Sequence, residues 1–158
     1  NGNIIYATSV NDNTVRKLVK NGSIYDVTNL EQNGSENFGT ISWLQISDNV
    51  QYILVCSSDN VVFISDNYGS SFTSKSISVN RGDMSSNGQY MGLAKKDGSN
   101  LIISVSSDNG QNFTTQTLNI GGGSAVDCEI SVSKSLIMII FLSTVWEEKI
   151  IKMAIKKR

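Results

Sequence analysis

Three pairs or groups of residues in this 158-residue sequence are suited to chemistry or recognition: Arg81 with Asp83, Lys95 with Lys96, and Trp146 with Glu147 and Glu148. A guanidinium grips a carboxylate through two parallel hydrogen bonds. An indole ring offers a flat stacking surface to sugars and proteins alike. Paired carboxylates are the equipment of glycoside hydrolysis, and Asp127 lies two residues from Glu129 while Glu147 adjoins Glu148. With 14 acidic residues in the chain, such neighbours arise without any catalytic role. Solvated carboxylates are the simpler account.

The composition removes whole classes of activity. Histidine is absent, so no Ser-His-Asp triad, Cys-His pair or imidazole metal ligand can form. The two cysteines, Cys56 and Cys128, are too few for a disulfide framework or a thiolate zinc site. Each sits in an apolar run and is expected as a buried free thiol. No metal or other cofactor is therefore expected. A net charge of −1 gives no electrostatic basis for binding nucleic acid. The basic end, "EEKIIKMAIKKR", reads as a solvated strand end. The apolar run "SLIMIIFL" is too short for a membrane span, which needs about 20 residues. "IGGGS" (120–124) lacks the Lys-Ser/Thr of a phosphate loop and is expected as a connector. Asn-X-Ser/Thr triplets at Asn21, Asn33 and Asn112 are no more than this Asn-rich and Ser-rich composition produces by chance.

The elements that must carry these residues recur along the chain. "SDNYGSSF" (65–72) and "SSDNGQNF" (106–113) share Ser, Asn or Asp, Gly and Phe at one spacing, 41 positions apart. "SDNVQYILV" and "SSNGQYMGLA" align with Gln51 and Gln89 offset by 38. Two landmarks recurring at about 40 residues define a repeat, and that length is one four-stranded propeller blade. Between the landmarks lie short β-branched runs and turn clusters, for example "QYMGLA", "KKDGS" and "NLIISVS". The expected unit is strand, turn, strand, turn, strand, Ser-x-Asp-x-Gly turn, strand.

In that turn Ser and Asp side chains accept hydrogen bonds from nearby backbone N–H groups. Glycine supplies a left-handed backbone, and the Phe packs under the neighbouring strand. The pattern Ser106, Asp108, Gly110, Phe113 resembles the Asp-box of the BNR repeats found in sialidases, sortilin-type receptors and other propellers. The variant Ser65, Asn67, Gly69, Phe72 has Asn where that family has Asp, and "KNGSIY" keeps only Gly22 and Tyr25. The resemblance implies an all-β propeller of four-stranded antiparallel blades, in about four blades or part-blades. They are a part-blade at 1–28, blades at 41–76 and 82–118, and a part-blade at 125–155. The last segment, "KIIKMAI", is open to a short amphipathic helix instead of a strand. In that family the box is structural and lies away from the active site.

The resemblance does not reach catalysis. Sialidases hold the substrate carboxylate with three arginines and carry a Phe-Arg-Ile-Pro motif. This chain has only Arg16, Arg81 and Arg158, and no proline. Strand alternation puts Arg81, Asp83, Lys95, Lys96, Trp146, Glu147 and Glu148 on the side opposite the boxes. "RGD" at 81–83 spells an integrin-recognition tripeptide and is expected in an exposed loop at a strand start. The reading is a non-enzymatic binding, adhesion or scaffold module with a protein or glycan ligand, in an extracellular or virion-surface setting. Its alternative is a fragment of a sialidase-like or other glycoside hydrolase propeller. Unmatched strands at the two ends imply further blades or self-association.

Overall fold

The structure, a computed structural model, describes residues 3–9, 12–120, 125–132 and 137–143. These residues form thirteen strands and no helix. They are β1 (Ile4–Ser9), β2 (Asp12–Asn21), β3 (Ile24–Asn29), β4 (Ile41–Ile46), β5 (Ile53–Ser57), β6 (Val61–Ser65) and β7 (Thr73–Ser76). The series continues with β8 (Arg81–Met84), β9 (Met91–Asp97), β10 (Asn100–Ser106), β11 (Thr114–Asn119), β12 (Ala125–Val132) and β13 (Ile137–Ser143).

Every pairing between these strands is antiparallel and joins neighbours in sequence. The result is four meandering sheets, β1–β3, β4–β7, β8–β11 and β12–β13. Each sheet packs face to face on the next, β4 and β5 against β8, and β8 and β9 against β12. This is an arc of propeller blades. The segment 144–158, including "KIIKMAI", lies outside the described residues.

Burial explains why the arc holds. In β5 and β6, "ILVCS" and "VVFIS", nearly every residue is buried, because both faces of a middle sheet are covered. One core joins Tyr6, Val15, Leu30 and Phe38 to Ile53, Val55, Phe63 and Phe72. A second joins Leu54, Cys56, Val62 and Ile64 to Met84, Met91 and Leu93. A third holds Ala94, Leu101, Ile103 and Val132. Phe38 meets Phe63 and Phe72 edge to face, with ring centroids 5.2 and 5.0 Å apart. Cys56 is a free, fully buried thiol whose pKa burial pushes up to about 12, so it acts as an apolar filler.

The two box turns are built alike. Ser106 Oγ accepts from the N–H of Asp108 at 3.3 Å and of Gly110 at 3.0 Å, and donates to Asp108 Oδ1 at 2.7 Å. Asp108 accepts from Asn112 N at 2.9 Å and from Asn112 Nδ2 at 2.8 Å. In the earlier turn Ser65 makes the same three bonds, and Asn67 Oδ1 accepts from Ser71 N at 3.0 Å. Asn67 Nδ2 then donates to Ser71 Oγ at 2.8 Å, so the amide keeps the framework with one donor reversed. Phe72 and Phe113 each pack into the core shared with the preceding sheet. The box therefore fastens a sheet to its predecessor.

A partner turn holds each box from the side. Ser47 and Ser85 close the loops between first and second strands, accepting from Tyr52 N and Tyr90 N, each at 2.9 Å. The carbonyls of Gln51 and Gln89 then accept from Tyr68 N and Asn109 N, each at 3.0 Å. This explains why both landmarks recur together. "KNGSIY" departs from the pattern. With Leu18 and Lys20 where the box has Ser and Asp, β2 and β3 join through the two residues Gly22 and Ser23, and Tyr25 is 38% exposed rather than packed inward.

The hydrogen bonds from Asn112, backbone first and then side chain, with that from Ser106, lower the Asp108 pKa from 3.8 to about 2. A depressed folded-state pKa adds stability that is complete above the unfolded value and is lost as pH falls through the folded one. The wild type is therefore expected to lose more melting temperature than Asp108→Asn between about pH 4 and pH 2. Equal losses in parallel thermal melts would contradict the charge-assisted box.

Candidate functional site

The first strands of successive sheets, β4, β8 and β12, lie beside one another and carry a row of polar and aromatic side chains. Arg81 opens β8, paired with Ala94 at the middle of β9, so it stands at the end of its own strand away from the box turn and midway along the sheet. Its guanidinium carbon stands 4.9 Å from the centre of the Trp43 ring on β4, a cation–π distance. The register of β4 on β5 shifts between Ile41 and Trp43, and the bulge turns the indole outward, 36% exposed. Ser42 Oγ ties the bulge by donating to Cys56 O at 3.0 Å.

Asp83 sits two residues further along β8. Its Oδ1 accepts from Gln45 Nε2 of β4 at 2.8 Å, and its Oδ2 accepts from the backbone N–H of Val132 in β12 at 2.7 Å. One carboxylate thus links three sheets. Gly82 between them is buried, and a Cβ there would meet Cys56 Sγ, Leu54 Cδ2 and Leu93 Cδ2, each at 3.0 Å. The tripeptide Arg81-Gly82-Asp83 is consequently strand, not an exposed loop. The alternation of polar and apolar residues there, continued by buried Met84, suits a strand between two sheets.

Lys95 and Lys96 also belong to a strand, β9, because pairing with β10 continues to Asp97 opposite Asn100 and leaves only Gly98 and Ser99 to turn. Lys95 Nζ donates to Asn60 Oδ1 of the preceding sheet at 2.6 Å, and the Lys96 N–H donates to Asn80 Oδ1 at 3.3 Å. Lys95 and Lys96 therefore lie one and two positions beyond Ala94, the partner of Arg81, on opposite faces of β9 and toward the end of the sheet away from the box, while Asp83 on β8 lies nearer the box, opposite Gly92. Trp146, Glu147 and Glu148 lie outside the described residues, as do the side chains of Asp127 and Glu129 on β12. Trp43 and Gln45 are additions that sequence reasoning missed. The signal was present, since Trp43 precedes Arg81, and Gln45 precedes Asp83, by the same 38 positions that separate Gln51 from Gln89.

At the opposite end, beside the second box turn, a shallow cleft of about 190 Å³ lies between Ile64, Asp66, Thr73 and Lys75 of one sheet and Asn109, Gly110 and Gln111 of the next. Lys75 Nζ spans it to Gln111 O at 2.8 Å. Among the described residues, no three His, Cys, Asp or Glu side chains are grouped to hold a metal ion. No helix among them is long and apolar enough to cross a membrane.

No family model matches the sequence, and no curated protein matches it. Among solved structures the chain is similar to Kluyveromyces lactis Hsv2, at 10% identity and a TM-score of 0.49, over 89% of this chain and 62% of that one. It is also similar to KlHsv2 with loop 6CD replaced by a Gly-Ser linker, at 12% identity and a TM-score of 0.46, over 89% and 60%. The chain thus spans about three-fifths of the length of these proteins.

Proposed function

We propose that this chain is a binding or scaffold module of the Asp-box repeat type, acting without catalysis through the side of the arc away from its box turns. The observation that carries the reading is the exposed Trp43 ring with the Arg81 guanidinium 4.9 Å from its centre. An outward indole in a bulged strand is costly to leave in water and supplies a stacking surface for a sugar ring or a protein side chain. Lys95 and Lys96, just beyond the partner of Arg81, add positive charge for orientation. The repeated Ser-centred hydrogen bonds of residues 65–72 and 106–113 support the Asp-box assignment. A glycan or protein ligand, in an extracellular or virion-surface setting, completes the proposal.

Trp43→Ala is the direct test. On a glycan array or in a pull-down, it and Arg81→Ala should each weaken the captured ligand by about tenfold or more, the usual effect of losing an aromatic or arginine anchor. A ligand that survives both changes, yet is lost when Asn67 or Asn109 is altered, would place the site on the box side.

A further inference from the structure

Asn-Gly is the dipeptide in which an asparagine amide is most easily lost, because the glycine nitrogen can reach the asparagine side chain without obstruction. Among the described residues the step occurs at Asn21, Asn33, Asn87 and Asn109. Three of the four are held. The Asn21 amide donates to Asp26 Oδ2 at 3.0 Å, and Asn21 ends a ladder that runs from Arg16 opposite Asn29 to Asn21 opposite Ile24. Asn87 Oδ1 accepts from Ser85 Oγ at 2.9 Å and from Gln89 N at 3.1 Å, while the buried Gly88 donates its N–H to Ser85 O at 2.8 Å. Gly110, also buried, donates its N–H to Ser106 Oγ at 3.0 Å inside the box.

Asn33 is different. It and Gly34 form the exposed two-residue tip of a turn closed by one isolated bridge, in which Gln32 and Ser35 exchange hydrogen bonds of 2.7 and 2.9 Å. Both tip residues are left-handed, with φ of +50° and +77°. A Cβ at Gly34 would meet nothing within 4 Å, and no described residue bonds the Gly34 N–H or the Asn33 amide. Such a tip opens locally at small cost, whereas the other three sites open only with their ladder, turn or box. We propose that Asn33 is a site of spontaneous covalent modification, at which the side-chain amide is lost through a cyclic imide. The Gly34 nitrogen gives its proton to solvent base and bonds to Asn33 Cγ. The Cγ–Nδ2 bond breaks, and ammonia leaves with a proton returned by solvent. Water then opens the five-membered ring at either carbonyl, giving aspartate or isoaspartate, and is the sole co-reactant. The product sets a carboxylate between Glu31 and Glu36, and isoaspartate also lengthens the main chain by a methylene ahead of the buried Phe38.

The test is to incubate the folded 158-residue chain at mildly alkaline pH, where solvent base takes the glycine proton, and to map its peptides by mass spectrometry. Asn33 should carry most of the aspartate and isoaspartate formed at the four steps, and Asn87 and Asn109 should stay intact while half of Asn33 converts. The same chain in concentrated urea should lose this selectivity, because all four steps are then the same open dipeptide. Isoaspartate titrated by enzymatic methylation of the folded chain should fall by more than half in Asn33→Gln, whose longer side chain cannot close the five-membered ring. Asn33 is exposed, so that variant should keep the circular dichroism spectrum of the wild type. Conversion of Asn21, Asn87 or Asn109 as fast as that of Asn33 in the folded chain would overturn the proposal. So would an Asn33 that stays intact while the unfolded chain reacts, or isoaspartate undiminished in Asn33→Gln.

Discussion

Gly110→Ala is expected to be among the most damaging single substitutions in the chain. Gly110 holds φ at +78°, and an added Cβ would lie 2.6 Å from Ile64 Cδ1 and 2.9 Å from Met91 Sδ. Left-handed backbone costs an L-residue about 1–2 kcal/mol, and forcing a methyl into a filled core costs about 1–3 kcal/mol more. The total, about 2–5 kcal/mol, corresponds to a fall of roughly 10 °C in Tm for a domain of this size. Both close atoms are side-chain ends in the core between two sheets, so the methyl is accommodated by repacking Ile64 and Met91 there, while the left-handed backbone keeps its full cost. A Tm within a degree or two of wild type would mean that the glycine is not wedged there.

The second large effect is expected at Asp83. Its removal leaves the Val132 N–H and the Gln45 amide without their acceptor at a junction of three sheets. Hydrogen bonds to a charged group contribute about 1.5–3 kcal/mol, and an orphaned buried donor costs a similar amount. Asp83→Ala should therefore cost about 2–4 kcal/mol in urea unfolding. Asp83→Asn should recover about half of this, because its Oδ1 still accepts from the Val132 N–H and its NH2 group donates to Gln45 Oε1 once that amide turns over, which keeps both bonds but loses the charge. Asn67 shows the same accommodation in the earlier box, with its amide turned toward an acceptor, Ser71 Oγ. Full rescue by Asn at position 83 would show that the charge of the carboxylate adds nothing to the bridge.

The repeat was legible because its turns are specified by side chains that act locally. Ser106, Asp108 and Gly110 meet one another within five residues, so spacing alone carries the geometry. The all-β arc followed from the same periodicity. The candidate surface was less legible, because it depends on partners far apart in sequence. Asp83 read as a loop carboxylate until Gln45 and Val132, 38 and 49 positions away, supplied its bonds. Trp43 had a signal in its 38-residue offset from Arg81, but nothing in "ISWLQI" announces the bulge that turns the indole outward. Lys95 and Lys96 read as a turn because the cluster "KKDGS" is polar, yet hairpin pairing tolerates polar side chains on strand ends that face water.

The packing of each sheet on its immediate neighbours has a thermodynamic corollary. Such an array behaves as a linear chain of coupled units, whose stability is the sum of one term per sheet and one per joint. Of the described sheets, β4–β7 and β8–β11 are each coupled on two sides, so a local opening in either is checked by both neighbours. Cooperativity then belongs to the joints rather than to the sheets. Residues such as Asp83, Gly82 and Gly110 govern less how stable any one sheet is than how far a local opening spreads before the next sheet stops it.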